Sequence, residues 1–426
     1  MHSLDTQNSL LEATVVPGES LPSSGFADMR DLRAYSNEYL IIGTYFDDDE
    51  VTINWDDGHV SRFHHGWLRE NSPDSKSRHP SSRERLVQPH SIPLFIKPLA
   101  AEIDGHGVLV IVWDGPTAAE AAQPHVSRFD AGWLRAHCYT RKAEIPVCQA
   151  SPTPQRDAPQ ASWHDLMTSE TAFYEWLVGL AEAGWSIVSD VPHEEGACIR
   201  FGQRIGVVRS SNFGFSFDVK SKPQPNSNAY TSLYLPLHTD MPHYELPPGF
   251  QLLHFLATST VGGESLLVDG IAIAHFLRNE NPEAFRILST ETIPYRFQDD
   301  DSDYMARHRI IECDDVGRPT HINWSNSTSA PLDVPYERMP ALRGAIRAFL
   351  EATEDPRFLI ERKLSAGGML VFNNRRMLHG RKGFDSRTGD RHLQGCYLDT
   401  SEVRSRMAVL ARRQNVASQE AWYPGM

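Results

Sequence analysis

The chain has 426 residues, of which 40% are apolar and 23% are charged, a composition typical of folded globular proteins. Its 55 acidic residues outnumber its 41 basic residues, and the formal net charge of −14 argues against a nucleic-acid partner because phosphate binding needs clustered Lys and Arg. At this length two domains are the default expectation.

No apolar stretch approaches the roughly 20 residues that a bilayer-spanning helix needs, so we expect no membrane partner. The first Arg or Lys is Arg30, and the N-terminus resembles neither a secretion signal nor an Arg-rich transit segment. We expect a cytoplasmic protein with free thiols, because the five cysteines are scattered and form no CxxC pair. They are Cys138, Cys148, Cys198, Cys313 and Cys396.

The N-terminal third contains a repeated motif. Residues 1–35 are rich in Ser, Gly, Pro and acidic residues and predict a poorly ordered leader. The letters His-Val-Ser-Arg-Phe, followed by Gly-Trp-Leu-Arg, begin at His59 and again at His125. Each copy follows a strand-like run that ends in Trp-Asp. We therefore predict a small β-rich domain over residues 36–142, built from two similar halves.

The rest of the chain predicts a linker and a larger domain. Residues 143–161 carry four Pro and no periodicity, which is typical of a linker. Residues 162–184 have the apolar spacing of a helix that ends at a glycine. Within the domain 162–426 we predict a mainly β fold with helical insertions, a sandwich or jelly roll. The predicted strands are 185–188, 251–257, 265–268, 310–313, 368–372 and 392–398, and the insertions lie near 271–279 and 337–354.

A candidate metal site begins with the pair His238 and Asp240. Residues two apart in a strand point to the same face, so both side chains can enter one cavity. His379, which follows an apolar run, is a candidate third ligand. Two imidazoles and one carboxylate leave coordination positions open for a cosubstrate and O2, which suits Fe(II). Zinc usually selects more His or Cys, and magnesium more carboxylates.

A candidate anion site follows the third ligand. Arg391 lies twelve residues after His379, at the start of an alternating strand. A turn there could return its guanidinium to the metal site, where it could bind one end of a dicarboxylate in bidentate fashion. Gly262 and Gly263 open another strand, and the Ser265 hydroxyl is a candidate second donor to that carboxylate.

Further motifs accompany these residues: Trp67 to Asn71, Ala229 to Thr231, Pro247 to Gly249, Gln251 to His254, Val268 to Gly270, Asn374 to Arg381, and Arg391 to Tyr397 with Asp399. The set, from about residue 40 to about residue 410, resembles the Fe(II)/2-oxoglutarate dioxygenases of the taurine-dioxygenase type. Within these it is similar to the γ-butyrobetaine hydroxylase and trimethyllysine dioxygenase family.

The resemblance implies a double-stranded β-helix (jelly-roll) catalytic core behind a small β-rich N-terminal domain. It implies His238, Asp240 and His379 as iron(II) ligands and Arg391 as the 2-oxoglutarate anchor. The implied reaction consumes O2 and 2-oxoglutarate, releases succinate and CO2, and hydroxylates a small molecule. Ascorbate is expected as a supporting reductant, and the duplicated N-terminal module is expected to form a homodimer contact.

One departure from the family concerns zinc. Family members bind zinc in the N-terminal domain through cysteines just after the Trp-Leu-Arg motif, together with a His. Here Ser72, Asp74 and Ser77 stand where thiolates are expected, and His125 matches the family's His. Hydroxyls are poor zinc ligands beside thiolates, so we predict no structural zinc.

A second departure concerns the substrate. The family's aromatic cage holds a trimethylammonium group by cation–π attraction. The matching positions are, by alignment, Phe213, Phe217, Tyr230 and Tyr397 for the cage, and Ser227 and Ser325 where amides would meet the substrate carboxylate. Phe213 and Phe217 replace an expected Tyr and Trp, and core packing along one strand is an equally good interpretation of both. Arg209 and His243 are candidate new polar contacts.

These departures leave three interpretations open. The first is hydroxylation of γ-butyrobetaine or a related trimethylammonium compound. The second keeps the oxygenase chemistry but assigns a non-cationic biosynthetic metabolite, with desaturation or ring formation as outcomes. The third is a non-catalytic metal-binding β-sandwich, which would have no need of His238, Asp240, His379 and Arg391 together.

Overall fold

The computed structural model describes residues 35, 38–79, 81–115, 124–140, 157–220, 231–414 and 416. The chain divides into two compact units, residues 1–143 and 144–426. Almost all of the predicted leader and most of the predicted linker lie outside the described residues, as do Ser227 and Tyr230. Among the described helices, none combines the length and the apolar character that crossing a membrane requires.

The N-terminal unit contains two similar halves, as the repeated motif predicts. Each half is a three-stranded antiparallel sheet in sequential order, followed by a short helix. The first half consists of β1 (Ile41–Phe46), β2 (Glu50–Trp55), β3 (Val60–His64) and α1 (His65–Glu70). The second consists of β4 (Pro98–Ile103), β5 (Leu109–Trp113), β6 (Val126–Phe129) and α2 (Ala131–Ala136).

The repeated residues make the same contacts in both halves. Trp55 Nε1 donates to Ser61 Oγ at 2.9 Å, and Trp113 Nε1 donates to Ser127 Oγ at 2.7 Å. Both indoles are buried, and these bonds satisfy their only polar atom. The Phe and Leu side chains of both motifs join the same apolar core, so the motif is a core-forming element.

Ser72, Asp74, Ser77 and His125 form a hydrogen-bonded polar cluster. Ser72 Oγ donates to Asp74 Oδ2 at 2.6 Å, and the same carboxylate oxygen lies 2.9 Å from His125 Nε2. Asp74 Oδ1 accepts the backbone N–H of Ser77 at 3.1 Å. Burial by itself would raise the pKa of Asp74, but His125 and the two serines lower that pKa well below its usual range. The charged carboxylate is therefore stabilised in the folded unit.

The C-terminal unit is built from strands with helices on both sides. Its helices are α3 (Trp163–Thr168), α4 (Glu170–Ala183), α5 (Ala197–Ile205), α6 (Gly270–Glu280), α7 (Pro282–Thr290), α8 (Met339–Thr353) and α9 (Thr400–Arg413). Its strands are β7 (Gln160–Ser162), β8 (Trp185–Ser189), β9 (Val208–Arg209), β10 (Phe217–Lys220), β11 (Leu235–His238), β12 (Phe250–Thr258), β13 (Val261–Gly262), β14 (Ser265–Asp269), β15 (Thr292–Gln298), β16 (Asp303–Arg309), β17 (Ile311–Cys313), β18 (Pro319–Ile322), β19 (Ile360–Arg362), β20 (Met369–Asn373), β21 (Met377–Arg381), β22 (Phe384–Asp385) and β23 (Arg391–Leu398).

Two sheets form the jelly roll that the sequence predicts. The major sheet has the order β10-β23-β12-β20-β8-β7, with β9 on β23, and the minor sheet has the order β11-β21-β14-β19. One apolar cluster draws residues from both sheets and lies between them. A second joins the outer face of the major sheet to α3, α4, α5 and α9, and a third joins the minor sheet to α6, α7 and α8. The unit is thus a helix–sheet–sheet–helix sandwich.

Two local predictions need correction. The predicted helix 162–184 is two helices, because the Ser169 hydroxyl accepts from the N–H of Ala172 and starts α4 anew. Its end is as predicted, since Gly184 has φ of 80°. The end of the predicted linker, Gln160–Ser162, is a strand that pairs in parallel with β8. The helical insertion predicted near 271–279 is confirmed as α6, and a second helix that was not predicted, α7, follows it.

Replacing Asp74 by Asn should destabilise the protein by about 1–3 kcal/mol near pH 7, because a half-buried charged acceptor is lost. Since folding lowers the pKa of Asp74, its stabilisation is present above pH ~4 and is lost as the pH falls. The difference between wild type and Asp74→Asn should therefore shrink in acid, as measured by urea unfolding at several pH values. The control is Asp48→Asn, which removes an exposed ion pair with Lys97 and should cost little. Equal losses of unfolding free energy in Asp74→Asn and Asp48→Asn would contradict the stabilising role of the Asp74 carboxylate.

Candidate active site

The three predicted metal ligands come together where β11 pairs with β21 in the minor sheet. His238 ends β11 and lies opposite His379 in β21, with ring centroids 4.3 Å apart. Asp240 lies two residues beyond the end of β11, so the prediction that it shares a strand with His238 is wrong. Asn374 holds it instead: its Oδ1 accepts the N–H of Asp240 at 2.7 Å, and its Nδ2 donates to the carbonyl oxygen of Asp240 at 3.0 Å. The turn before β21 thus positions the carboxylate.

The side-chain atoms leave one carboxylate oxygen and two imidazole nitrogens facing one another. Asp240 Oδ1 lies 3.3 Å from His238 Nε2 and 3.7 Å from His379 Nε2, and the three ligand atoms lie within 4.8 Å of one another. The other carboxylate oxygen accepts the Tyr397 hydroxyl at 2.7 Å. His238 Nδ1 lies 2.8 Å from the carbonyl oxygen of Pro236, which can only accept, so Nδ1 carries a proton and the neutral ring has its lone pair on Nε2. This donor set can hold a metal ion.

The charges of the three groups fit that role. Burial by itself would raise the pKa of Asp240, but His379, His238 and Tyr397 lower that pKa below its usual range. Burial, with the neighbouring His238, lowers the pKa of His379 to about 3. Burial opposes protonation of His238, yet the Asp240 carboxylate raises its pKa. A carboxylate and at least one neutral imidazole are the forms that bind a metal.

Arg391 is a cation that no carboxylate of the described residues neutralises. Its Cζ lies 5.5 Å from the centre of the Phe384 ring, and a Cβ at Gly263 would lie 3.4 Å from its Nε. Among the described residues, no hydrogen-bond acceptor or carboxylate pairs with its guanidinium. Burial, with the positive charge of Arg381, lowers the pKa of Arg391 to about 9. Such a group favours an anionic ligand.

The backbone relates this cation to the metal ligands. His379 and Arg381 are two apart in β21 and so share a face of the sheet. Arg391 lies close enough to Arg381 for the positive charge of Arg381 to lower its pKa. Ser265 begins β14 opposite Arg381 and is 8% exposed. The structure therefore places Ser265 and Arg391 on the side of the minor sheet that carries His379.

The predicted substrate residues are partly described. Phe217 stacks on Tyr397 with ring centroids 5.0 Å apart, so this aromatic pair lies beside Asp240. Phe213 precedes β10 and contacts Phe297 at 5.7 Å, while the residue between the two phenylalanines in the motif, Phe215, is 64% exposed. The alternative of core packing along one strand is therefore wrong.

Two other predicted polar contacts differ in their surroundings. Arg209 Nη1 donates to Asp399 at 2.6 Å and Nη2 donates to the carbonyl oxygen of Leu246 at 2.7 Å, so its guanidinium is engaged within the protein. Ser325 is buried, and its Oγ lies 3.1 Å from Ser327 Oγ.

The sequence did not identify Asn374 or Phe297. Asn374 stands within a motif run, but its role depends on a contact with Asp240, 134 residues away. Phe297 lies in β15, where no motif points to the site. Trp324 is a third residue without a sequence signal: its carbonyl oxygen accepts the N–H of Thr239 at 2.6 Å, between two candidate ligands.

Comparison with known proteins gives two matching family models. "Taurine catabolism dioxygenase TauD, TfdA family" matches residues 149–397, and "Gamma-butyrobetaine hydroxylase-like, N-terminal" matches residues 44–120. Gamma-butyrobetaine dioxygenase of Pseudomonas sp. (strain AK-1) is 40% identical over 367 residues, which cover 85% of this chain and 94% of that protein. The human gamma-butyrobetaine dioxygenase is 31% identical, covering 85% and 95%. Trimethyllysine dioxygenase of Meyerozyma guilliermondii is 26% identical, covering 88% and 96%.

Replacing Tyr397 by Phe should weaken metal binding about 10-fold, because hydrogen bonds to ligating carboxylates orient them and tune their affinity. The ring stays, so its stacking on Phe217 is kept. Titration of metal-free protein with Mn(II) measures the effect. Tyr336→Phe, which alters a side chain that is 89% exposed, is the control and should bind as wild type does. Unchanged affinity in Tyr397→Phe would contradict the role of Tyr397.

Proposed function

We infer the reaction of this chain from its family: the chain belongs to the TauD, TfdA dioxygenases, with a γ-butyrobetaine hydroxylase-like N-terminal region, and is a 2-oxoglutarate-dependent dioxygenase. The family consists of Fe(II)/2-oxoglutarate enzymes that act on small molecules. A non-catalytic metal-binding β-sandwich, one of the three interpretations of the sequence, is therefore wrong. The residue roles and the substrate within this reaction class are our proposals.

We propose that His238, Asp240 and His379 hold Fe(II). The support is the donor set, two imidazole nitrogens and one carboxylate oxygen within 4.8 Å of one another. When bound, iron supplies the redox chemistry that couples decarboxylation of 2-oxoglutarate to oxidation of the substrate. The protein's own part is to direct the lone pair of the neutral His238 ring to Nε2 through Pro236 and to turn one oxygen of Asp240 toward the imidazoles through Tyr397.

We propose that Arg391 binds the distal carboxylate of 2-oxoglutarate, with Ser265 as a second donor. A planar guanidinium matches a carboxylate with two parallel hydrogen bonds. Burial strengthens that attraction, because the unpaired cation has little water around it. Gly263 leaves the guanidinium free of side-chain crowding on one side.

We propose that the substrate carries a trimethylammonium group, as γ-butyrobetaine does. The observation that carries the proposal is the Phe217–Tyr397 pair, which presents aromatic surface directly beside Asp240. A quaternary ammonium group binds such faces by cation–π attraction, and holding it there would orient one C–H bond toward the metal. Phe213 and Tyr230 would complete the cage, and Ser227 and Ser325 would lie toward the substrate carboxylate.

We also propose four properties of the whole chain. The Asp74–His125 cluster takes the place of a zinc site, so the N-terminal unit folds without zinc. Ascorbate supports turnover by keeping iron reduced, O2 being the oxidant. The chain forms a homodimer through its N-terminal unit. It works in the cytoplasm, without nucleic-acid or membrane partners, as its charge of −14 and scattered cysteines suggest.

Replacing Arg391 by Lys should raise the KM for 2-oxoglutarate by about 10- to 100-fold, because an ammonium group cannot form the bidentate contact. The maximal rate of succinate release at saturating 2-oxoglutarate should change less. Asp240→Ala should abolish succinate release altogether and serves as the inactive reference. Arg347→Lys, at an exposed position on α8, is the matched control and should behave as wild type. A wild-type KM in Arg391→Lys would refute the assignment.

A panel of trimethylammonium compounds should stimulate succinate release above the rate without substrate. We expect γ-butyrobetaine to do so more strongly than its isostere with a tert-butyl group, because only the cation is attracted by the aromatic faces. A difference of roughly 5- to 30-fold in kcat/KM corresponds to about 1–2 kcal/mol of cation–π attraction. Equal stimulation by both would favour the non-cationic metabolite of the second interpretation.

A further inference from the structure

His243 is a buried imidazole without a hydrogen-bond partner. It lies three residues after Asp240 and is 3% exposed, yet among the described residues none pairs with either ring nitrogen. Burial lowers the pKa of His243 to about 4, so the ring is neutral near pH 7. A neutral imidazole has one N–H donor and one acceptor. Leaving both unpaired in the interior is costly, which points to a ligand that supplies the partner.

A second unpaired donor of the described residues lies on Asn212, which bonds to the side chain of Tyr244, the residue after His243. Asn212 Oδ1 accepts the Tyr244 hydroxyl at 2.9 Å, and the backbone N–H of Asn212 donates to the same hydroxyl at 3.1 Å. These bonds hold Asn212 against the residue that follows His243. Its Nδ2 is buried and has no partner in the described part of the chain. The amide can only donate from that atom.

Aromatic side chains connect His243 to the proposed cage. His243 stacks on Phe297 with ring centroids 5.2 Å apart, and Phe297 contacts Phe213 at 5.7 Å. The two unpaired groups therefore border the same aromatic cluster as one of the predicted cage residues.

A pair of hydroxyls runs between the metal ligands and that cluster. The backbone of Trp324 bonds to Thr239, and Ser329 forms a β-bridge with Tyr295 in β15. The segment 324–329 therefore connects the metal ligands with β15. Ser325 and Ser327, with their Oγ atoms 3.1 Å apart, lie on this segment.

An unpaired buried histidine is not by itself a binding site, as His254 illustrates. It is fully buried and its two nitrogens also lack partners among the described residues. However, Phe250, Leu252 and His254 are spaced two apart in β12 and share one face of the strand. His254 therefore faces the apolar layer between the major sheet and the helices. What distinguishes His243 is the second unpaired donor on Asn212, which bonds to the neighbouring Tyr244, and its place next to the metal ligands.

We propose that His243 and Asn212 bind the carboxylate of the substrate. Each offers an N–H to the ligand, so the ligand must accept at both, as the two oxygens of a carboxylate do. This subsite would replace donors lost where Ser227 and Ser325 stand in place of amides. The inference rests on the proposed trimethylammonium substrate and assigns its opposite end.

The test measures binding rather than turnover. The full chain is loaded with Mn(II) and N-oxalylglycine, an unreactive analogue of 2-oxoglutarate, and titrated calorimetrically with four compounds. These are γ-butyrobetaine, its carboxamide, and the isosteres of both in which a tert-butyl group replaces the trimethylammonium group. Wild type should bind each acid roughly 10- to 100-fold more tightly than the matching amide.

Two variants probe the subsite and one controls for it. His243→Phe keeps a ring to stack on Phe297 but removes both nitrogens, and should lower the acid-to-amide ratio about 10-fold. Asn212→Asp keeps the acceptor for Tyr244 and replaces the donor by a repelling oxygen, so the ratio should fall at least as far. His254→Phe removes an equally buried, equally unpaired imidazole and should leave the ratio unchanged.

The outcomes separate this inference from the proposed substrate class. A wild type that treats acid and amide alike overturns the inference, as do wild-type ratios in both His243→Phe and Asn212→Asp. Should His243→Phe fail to fold, Asn212→Asp decides alone. Equal binding of the trimethylammonium and tert-butyl compounds overturns the substrate class, while the acid-to-amide ratio still decides on His243. If none of the four compounds binds, both proposals fall.

Discussion

The candidate active site depends on the antiparallel pairing of β11 with β21. This ladder sets His238 opposite His379, and the turn that leads into β21 carries Asn374, which bonds to the backbone of Asp240 on both sides. A slip of one residue in β21 would turn His379 to the opposite face of the sheet. The pairing therefore decides the ligand geometry, and the layers around it act by holding that register.

A buried ion pair anchors the same turn. Arg376 donates to Asp269 Oδ2 at 2.7 Å and to the carbonyl oxygen of Glu182, while Asp269 Oδ1 caps the start of α6. The turn before β21 is thus tied to α4 and α6, on the two sides of the sandwich. Removing one partner of such a pair would leave an uncompensated buried charge, so the anchor resists local change. Helices that carry no ligand contribute in this way to the position of His379.

The electrostatics of the site follow from its burial. Burial keeps the His379 imidazole neutral and lowers the pKa of Arg391, whose guanidinium has no carboxylate partner among the described residues. A neutral imidazole suits a metal and an unpaired cation suits a dicarboxylate, so one physical cause prepares both functions. The N-terminal unit shows the opposite case: in the Asp74 cluster, hydrogen bonds outweigh burial and keep the carboxylate charged.

The sequence alone determined the chemistry and most of the elements. Local patterns sufficed for the alternating strands, the helix that ends at Gly184 and the duplicated Trp–Ser motif, because each depends on neighbours in the chain. His238, Asp240, His379 and Arg391 predicted a metal site beside an anion site, and the family resemblance that they carry implied the reaction class that the comparisons show.

Only the tertiary structure decided what surrounds those residues. No local sequence pattern reveals the roles of Asn374, Phe297 and His243, because these roles depend on contacts with residues far along the chain. Asp240 was expected within a strand but lies beyond it, because Asn374 and Trp324 hold that segment by hydrogen bonds from elsewhere in the fold. The metal-binding residues can be predicted from residue types and their spacing, whereas the residues around the substrate depend on long-range packing.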